Sequence, residues 1–139
     1  LVQTSIDKSN KIIYVKECIH QTHLTTSQIA HLNQRFAGDS LIVADSAEPR
    51  LISELSRDCN IVPAIKGQGS ITFGISLLQD FGLVIDPNSI NLVKELNNYC
   101  WLEKKSRTPI DKFNHLIDAL RYAISYQLQN PNQGQYHIY

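Results

Sequence analysis

Apolar residues near the start of the chain fall into two short strand-forming runs, residues 2–6 and 11–19. A polar turn sequence, Asp7-Lys8-Ser9-Asn10, separates them. Two strand-forming runs joined by such a turn predict a β-hairpin.

Helical and strand-like patterns alternate after the hairpin. The helical spacing of Ile29 and Phe36 predicts a helix that begins at Thr25 or Thr26 and ends at Gly38. Short, continuous apolar runs predict three strands, and the first of them, 41–44, fits a strand buried on both faces. These predicted strands are 41–44, 61–65 and 83–85. The helices between and after them are predicted to begin at Pro49, at the cap Ser70 and at the cap Ser89.

This order of elements predicts an α/β fold: a mixed sheet with an antiparallel N-terminal hairpin and helices on both faces. The length of 139 residues suits one compact domain. We assign residues 1–128 to that domain and expect 129–139, which are polar and contain Pro and Gly, to form a flexible C-terminal tail.

Composition narrows the range of functions. Lys+Arg and Asp+Glu both number 13, so the formal net charge is zero and gives no support for nucleic-acid binding. No apolar run approaches the ~18 residues of a membrane span, and no association with a membrane is expected. Three widely separated cysteines predict reduced thiols and therefore a cytoplasmic location.

The first candidate for chemistry is Asp45, which directly follows the predicted strand 41–44. Ligands of α/β sheets bind where strands end, and a carboxylate there suits a magnesium ion. The structural alternative is that Asp45 and Glu48 cap the next helix, whose dipole favours acidic residues. Position alone favours that alternative.

The second candidate is the last predicted helix. Thr108 and Asp111 can form its capping box, which explains Asp111 without catalysis. His115, Asp118 and Tyr122 lie on the side opposite its apolar stripe, and His115 and Asp118 are neighbours at a spacing of three. The stripe itself comprises Phe113, Leu116, Ile117, Leu120 and Ile124. The polar side is either a solvated face or a metal carboxylate with a histidine beside it.

Basic residues supply the third candidate. Lys66, Gly67 and Gly69 precede a predicted helix and can present N–H groups to a phosphate, although the order of a Walker A loop is absent. A tight strand-to-helix turn explains the same glycines. The polar stretch 103–107 leads to the last helix and can contact a phosphate backbone. Its basic residues are Lys104, Lys105 and Arg107.

Four blocks in this order, 44–49, 66–71, 95–101 and 114–123, resemble the C-terminal nuclease domain of terminase large subunits from tailed phages and prophages. The resemblance implies a ribonuclease H-like fold and a metal-dependent endonuclease that cuts concatemeric double-stranded viral DNA during packaging. It also implies a site for two Mg²⁺ or Mn²⁺ ions.

The resemblance assigns roles to residues of this chain. It implies that Asp45 and Asp118 are catalytic metal ligands, with His115 in support. It places Lys66 and Gly67 near the DNA. Its implied partners are double-stranded DNA, the terminase small subunit, the portal protein and an N-terminal ATPase domain of the same polypeptide, in the cytoplasm of a bacterial host.

One feature of the family is not found in this sequence. The family has an essential Asp on a first strand upstream of the segment that matches residues 1–6, and Asp7 lies at the wrong end of the hairpin to replace it. We therefore expect a piece of a longer polypeptide that lacks this strand, binds metal weakly and is inactive alone. A non-catalytic ribonuclease H-like module that docks a packaging motor or binds DNA is the alternative function. A junction resolvase of the same fold is a third, which the blocks at 44–49 and 114–123 disfavour.

Overall fold

The computed structural model of this chain describes residues 1–106 and 114–129, with the side chains of 1–99 and 114–129. Its elements follow the predicted order. They are β1 (Val2–Asp7), β2 (Ile12–Glu17), α1 (Thr26–Ala37), β3 (Ile42–Ala44), α2 (Pro49–Leu55), β4 (Ile61–Pro63), α3 (Ser70–Asp80), β5 (Gly82–Ile85), α4 (Ile90–Ser106) and α5 (His115–Gln129).

The predicted hairpin is confirmed. Strands β1 and β2 pair antiparallel, and β5 adds to β2 in parallel, giving a mixed sheet in the order β1-β2-β5. The carboxylate of Asp7 closes the turn. It accepts hydrogen bonds from the backbone N–H of Asn10 at 3.1 Å and from the side-chain amide of Asn10 at 2.8 Å. The turn thus fixes the register in which Val2 faces Glu17.

Strands β3 and β4 form a second, parallel sheet, and the described residues contain no strand that joins it to the first. Of the three β3 residues, Ile42 is buried while Val43 and Ala44 are half-buried. The prediction that this strand is buried on both faces was therefore wrong, because Val43 and Ala44 line a cavity.

Each sheet has its own apolar core. The first core lies between the mixed sheet and helices α4 and α5, and its buried members are Ile13, Val15, Leu92, Leu116, Leu120 and Ile124. The second lies between β3, β4 and α2, and its buried members are Ile42, Ile52, Leu55, Cys59 and Ile61. The predicted apolar stripe of α5 is confirmed where it is described; Phe113 lies outside the described residues.

Most helix starts agree with the sequence. Thr25 and Gln28 form a reciprocal capping box for α1, and Gly38 ends it at φ 54°. Pro49 occupies the first turn of α2. The predicted cap of α3 was wrong: Gly69 is the N-cap, at φ 77°, and Ser70 is already helical. This left-handed backbone favours a residue without a Cβ atom.

Helix α4 is capped from a distance. Ser89 precedes it as predicted, but its buried hydroxyl accepts the backbone N–H of Glu17 at 2.9 Å. The Glu17 carboxylate in turn accepts the backbone N–H of Leu92 at 2.9 Å and the side-chain amide of Asn91 at 2.7 Å. The end of β2 and the start of α4 are thereby fixed to each other.

Two further expectations concern the cysteine thiols and membrane-spanning helices. Cys18 and Cys59 are free thiols, as expected, and the side chain of Cys100 lies outside the described part. None of the helices in the described ranges combines the length and the apolarity that crossing a bilayer requires.

Candidate functional site

A cleft of about 1340 Å³ separates the two sheets. Its two sides are residues 1–8, which include all of β1, and 40–45, which include all of β3. Helix α5 contributes side chains to the same cleft, among them His115, Asp118 and Tyr122. The structure thus brings the first and second candidates of the sequence to one cavity.

Asp45 stands at the end of β3 with about half of its side chain exposed (52%). Its Oδ1 atom accepts the backbone N–H of Ala47 at 2.9 Å and forms an ion pair with the ammonium of Lys66. Glu48 is the N-cap residue of α2 but makes no side-chain capping bond. Neither acid therefore caps α2 with its side chain. Oδ1 of Asp45 instead bonds within the turn that precedes the helix, and Oδ2 of Asp45 is not used in that turn.

That other oxygen faces helix α5. The hydroxyl of Tyr122 donates to Oδ2 of Asp45 at 3.4 Å, a long bond. The Lys66 ammonium lies 5.3 Å from the centre of the Tyr122 ring, within the range of a cation–π contact. Asp45, Lys66 and Tyr122 thus form one polar cluster that joins β3, the loop after β4 and α5.

The electrostatics of this cluster favour the charged forms. Partial burial raises the pKa of the Asp45 carboxyl, but the bonds from Lys66, Ala47 and Tyr122 outweigh it, and the net pKa lies below its usual range. The bond to Asp45 raises the pKa of Lys66 above its usual range. The two groups therefore remain ionised through the neutral range of pH.

Asp118 lies in the first turn of α5, with 32% of its side chain exposed. Its Oδ1 accepts from the guanidinium of Arg121 at 2.9 Å, and its Oδ2 accepts from the side-chain amide of Asn114 at 3.1 Å. Both oxygens are therefore oriented by neighbours on the same segment.

Arg121 was not singled out from the sequence. It is 6% exposed, and its guanidinium carbon lies 4.8 Å from the centre of the Tyr122 ring. Its aliphatic stem crosses Gly74 of α3 so closely that a Cβ atom there would overlap Cγ and Cδ of the arginine. The spacing of three between Asp118 and Arg121 was the available signal, since residues three apart on a helix are neighbours.

His115 is the first residue of α5 and is exposed where it lines the cleft. Among the residues with described side chains, no group of three or more His, Cys, Asp or Glu is arranged to hold a metal ion. The donor chemistry of Asp45 and Asp118 fits a hard divalent cation, but two carboxylates are fewer ligands than such an ion takes. Lys66 and Arg121 supply the positive charge beside them.

The structure describes the remaining DNA-binding candidates only in part. Gly67 follows Lys66 in the open, with no atom within 4 Å of the position of a Cβ. Lys104 and Lys105 belong to the last turns of α4, so the prediction of a connecting stretch at 103–107 was wrong for these residues. Their side chains, and Arg107 as a whole, lie outside the described residues, as do the predicted cap at Thr108 and Asp111 and most of the predicted tail.

Comparisons with known proteins show the family and the fold of this chain. Residues 1–126 match the terminase RNase H-like domain family. The terminase large subunit of Bacillus phage SPP1 is 40% identical over 91 residues, which cover 59% of this chain and 22% of that protein. This chain thus spans less than a quarter of that relative.

The crystal structure of the large terminase nuclease domain from phage SPP1, solved with bound Mn, is similar in fold with a TM-score of 0.76. It is 31% identical in sequence, and the match covers 91% of this chain and 77% of that one. The ribonuclease H-like α/β fold is thereby confirmed. The chain belongs to the terminase RNase H-like domain family, that of the nuclease domains of terminase large subunits.

Proposed function

We propose that this domain is a metal-dependent endonuclease of a phage terminase large subunit and cleaves concatemeric double-stranded DNA during genome packaging. The observation that carries the proposal is that Asp45, at the end of β3, and Asp118, on α5, line one cleft although they are far apart in sequence. The bound Mn of the SPP1 nuclease domain supports a divalent cation, Mg²⁺ or Mn²⁺, as the cofactor.

In this proposal, different residues of the cleft have different roles in phosphodiester hydrolysis. Asp45 and Asp118 supply oxygen ligands of the type that Mg²⁺ and Mn²⁺ prefer. Two such ions, when bound, activate a water and neutralise the charge on the leaving oxygen. His115, which is exposed at the cleft, holds or transfers a proton at its imidazole ring.

Neighbouring side chains orient these groups. The guanidinium of Arg121 and the amide of Asn114 hold the two oxygens of Asp118, and the Tyr122 hydroxyl contacts Asp45. Ligand orientation by such neighbours is a general feature of metal sites. Lys66 competes with a bound cation for the Asp45 carboxylate, and we expect its ammonium to move toward the DNA phosphates when a cation binds.

The shape of the cleft supports one additional strand. Cys18 donates its backbone N–H to the carbonyl of Leu1, so Leu1 and Cys18 are a hydrogen-bonded pair. Hydrogen-bonded pairs alternate with non-bonded pairs along an antiparallel ladder. Gln3 and every second residue after it therefore bond to β2. The peptide groups of the intervening residues point away from β2, toward the cleft. These are Val2, Thr4 and Ile6.

The opposite side of the cleft is the edge of β3 that pairs with no other strand in the described ranges. Two unpaired strand edges that face one cavity form a template for an extended segment, whose main chain bonds to both. We propose that one strand from outside the described residues fills this space, merges the two sheets and brings a third carboxylate toward Asp45 and Asp118. This is the strand that the family resemblance places upstream of residues 1–6.

Contacts with DNA are proposed at local basic groups, because the net charge is zero. Lys66 and the exposed loop at Gly67 lie next to the metal ligands, and Lys104, Lys105 and Arg107 add charge farther along the chain. Few phosphate contacts predict weak affinity that falls as salt rises. We further propose the small subunit, the portal protein and an N-terminal ATPase domain as partners, and the cytoplasm of a bacterial host as the location.

Plasmid cleavage by the natural full-length polypeptide tests the enzymatic proposal. We expect cleavage with Mg²⁺ or Mn²⁺ that is abolished by chelation and by Asp45→Ala or Asp118→Ala. Asp80→Ala, an exposed acid at the end of α3, is the matched control and keeps full activity. Full activity of folded Asp118→Ala would contradict the assignment.

A second candidate function is a non-catalytic module that docks the packaging motor or binds DNA. It is favoured by the neutralisation of Asp45 by Lys66 and of Asp118 by Arg121. A full-length polypeptide that binds DNA or portal protein but neither binds Mn²⁺ nor cleaves DNA would establish this function in place of the first.

A further inference from the structure

The helix that carries His115 and Asp118 begins on a buried carboxylate from another helix. Glu95 of α4 is 4% exposed, and its Oε2 atom accepts the backbone N–H groups of Leu116 at 2.8 Å and of Ile117 at 3.1 Å. The first N–H groups of a helix have no partner within it, and a negative charge there also favours the helix dipole. Glu95 therefore supplies the N-terminal cap of α5 from a distance of 21 residues along the chain.

The other oxygen of Glu95 faces a basic group. Oε1 lies 3.7 Å from Nε2 of His20, which follows β2 and has 39% of its side chain exposed. Glu95 thus connects the segment after β2, helix α4 and the start of α5. Leu116 and Ile117, which receive its bonds, lie directly between His115 and Asp118 in sequence.

Because of this arrangement, Asp118 does not serve as the cap of α5. An acid in the first turn of a helix commonly bonds the terminal N–H groups, but here Glu95 takes that role. The backbone N–H of Asp118 bonds to the carbonyl of Asn114 at 2.7 Å, and its carboxylate bonds to the Asn114 amide and to Arg121. Neither oxygen of Asp118 is therefore used as a helix cap; both are oriented at the cleft by side-chain donors.

We propose that Glu95 is a positioning residue: by fixing the start of α5 it sets where His115 and Asp118 stand relative to Asp45. The inference rests on the proposed function, because it assigns Glu95 to the same metal site. It predicts that loss of the Glu95 bonds weakens metal binding even in protein that is fully folded. Loss of a residue that orients metal ligands commonly lowers affinity by about 10- to 100-fold.

The experiment titrates Mn²⁺ alone into the natural full-length polypeptide and follows paramagnetic broadening of the amide signals near Asp45 and Asp118. Glu95→Ala removes the acceptor, Glu95→Asp keeps the charge but shortens the reach, and Glu95→Gln keeps an oxygen at the right length. We expect affinity to fall about 10-fold or more in the Ala and Asp variants and to be largely retained in the Gln variant. Glu54→Gln, at an exposed residue of α2, is the control.

Thermal unfolding and amide exchange are measured on the same samples. We expect faster exchange at Leu116 and Ile117 in the Ala and Asp variants, below the temperature at which each unfolds. Unchanged Mn²⁺ affinity in a folded Asp or Ala variant overturns the positioning role and leaves the metal site intact. Absence of Mn²⁺-induced broadening near Asp45 and Asp118 in the unmodified full-length polypeptide overturns the metal site itself, and the inference with it.

Discussion

The ammonium of Lys66 pairs with the carboxylate of Asp45, 21 residues away, and thereby places a protein cation on a proposed metal ligand. The pair joins the loop after β4 to the end of β3, and Tyr122 of α5 contacts both partners. The ammonium of Lys66 thus neutralises the charge of one of the carboxylates that line the cleft.

Removal of this cation is expected to strengthen metal binding. In Lys66→Ala, Oδ1 of Asp45 loses its competing partner, and the Mn²⁺ affinity of the 139-residue chain should rise by up to about fivefold, since an exposed ion pair contributes about 0.2–1 kcal/mol. Lys94→Ala, on the exposed surface of α4, should leave the affinity unchanged. Weaker binding in Lys66→Ala would mean that Lys66 supports the metal site and does not compete with it.

The same pair predicts a defined pH dependence. The pKa of Asp45 is lowered in the folded state. The ionised carboxylate therefore contributes its full stabilisation above the ordinary aspartate pKa of about 3.9, and this contribution is lost as the pH falls through the lowered pKa. The pKa of Lys66 is raised, so its contribution is complete below about 10.4 and is lost as the pH rises through the raised pKa.

An NMR titration of the Asp45 side-chain carboxyl carbon measures this dependence. We expect a midpoint below that of an ordinary aspartate, which moves upward in Lys66→Ala. An Asp45 midpoint that is unaffected by Lys66→Ala would contradict the ion pair.

Local patterns were sufficient to predict the elements and part of the site. Turn residues at Asp7 and Asn10, the caps Thr25 and Gly38, and the apolar stripe of α5 each act on neighbours in sequence. Their effects can therefore be seen without the fold. The place of Asp45 at the end of a short apolar strand was predictable for a similar reason, although position alone favoured a capping role for it.

Contacts between distant residues were not predictable in this way. Glu17 caps α4, Glu95 caps α5, and Lys66 reaches Asp45. Each depends on which strands and helices become neighbours, and an acidic or basic residue on a helical surface resembles an ordinary solvated one. The sequence predicted Ser70 as the cap of α3, whereas the cap is Gly69. The cause of this error is local, since only the backbone angle distinguishes the two adjacent small residues.

Close packing beneath Asp118 predicts that Gly74→Ala is destabilising. The added Cβ would overlap the buried stem of Arg121, whose guanidinium holds Asp118. Alanine gains about 1 kcal/mol of helix propensity over glycine, but overpacking costs about 1–3 kcal/mol, so we expect a net loss of up to about 2 kcal/mol.

Urea unfolding measures this change. Gly67→Ala is the matched control, because nothing lies within 4 Å of its Cβ position, and its effect should remain within about 0.5 kcal/mol. A Gly74→Ala protein as stable as the unmodified chain would show that Arg121 moves aside at no cost, and Mn²⁺ binding would then report whether Asp118 moves with it.

Amide exchange along β1 tests the proposed strand site in the cleft. The N–H groups of Gln3 and Ser5 bond to β2, whereas those of Val2, Thr4 and Ile6 point toward the cleft. In the 139-residue chain we therefore expect protection to alternate, with slow exchange at Gln3 and Ser5 and fast exchange at Thr4, because an open strand edge leaves its amides to water. In the natural full-length polypeptide, Thr4 should become as protected as Ser5. Equal protection of Thr4 and Ser5 in the 139-residue chain would mean that a segment of the chain itself already pairs with this edge. Fast exchange of the Thr4 amide in the full-length polypeptide would contradict the proposed strand.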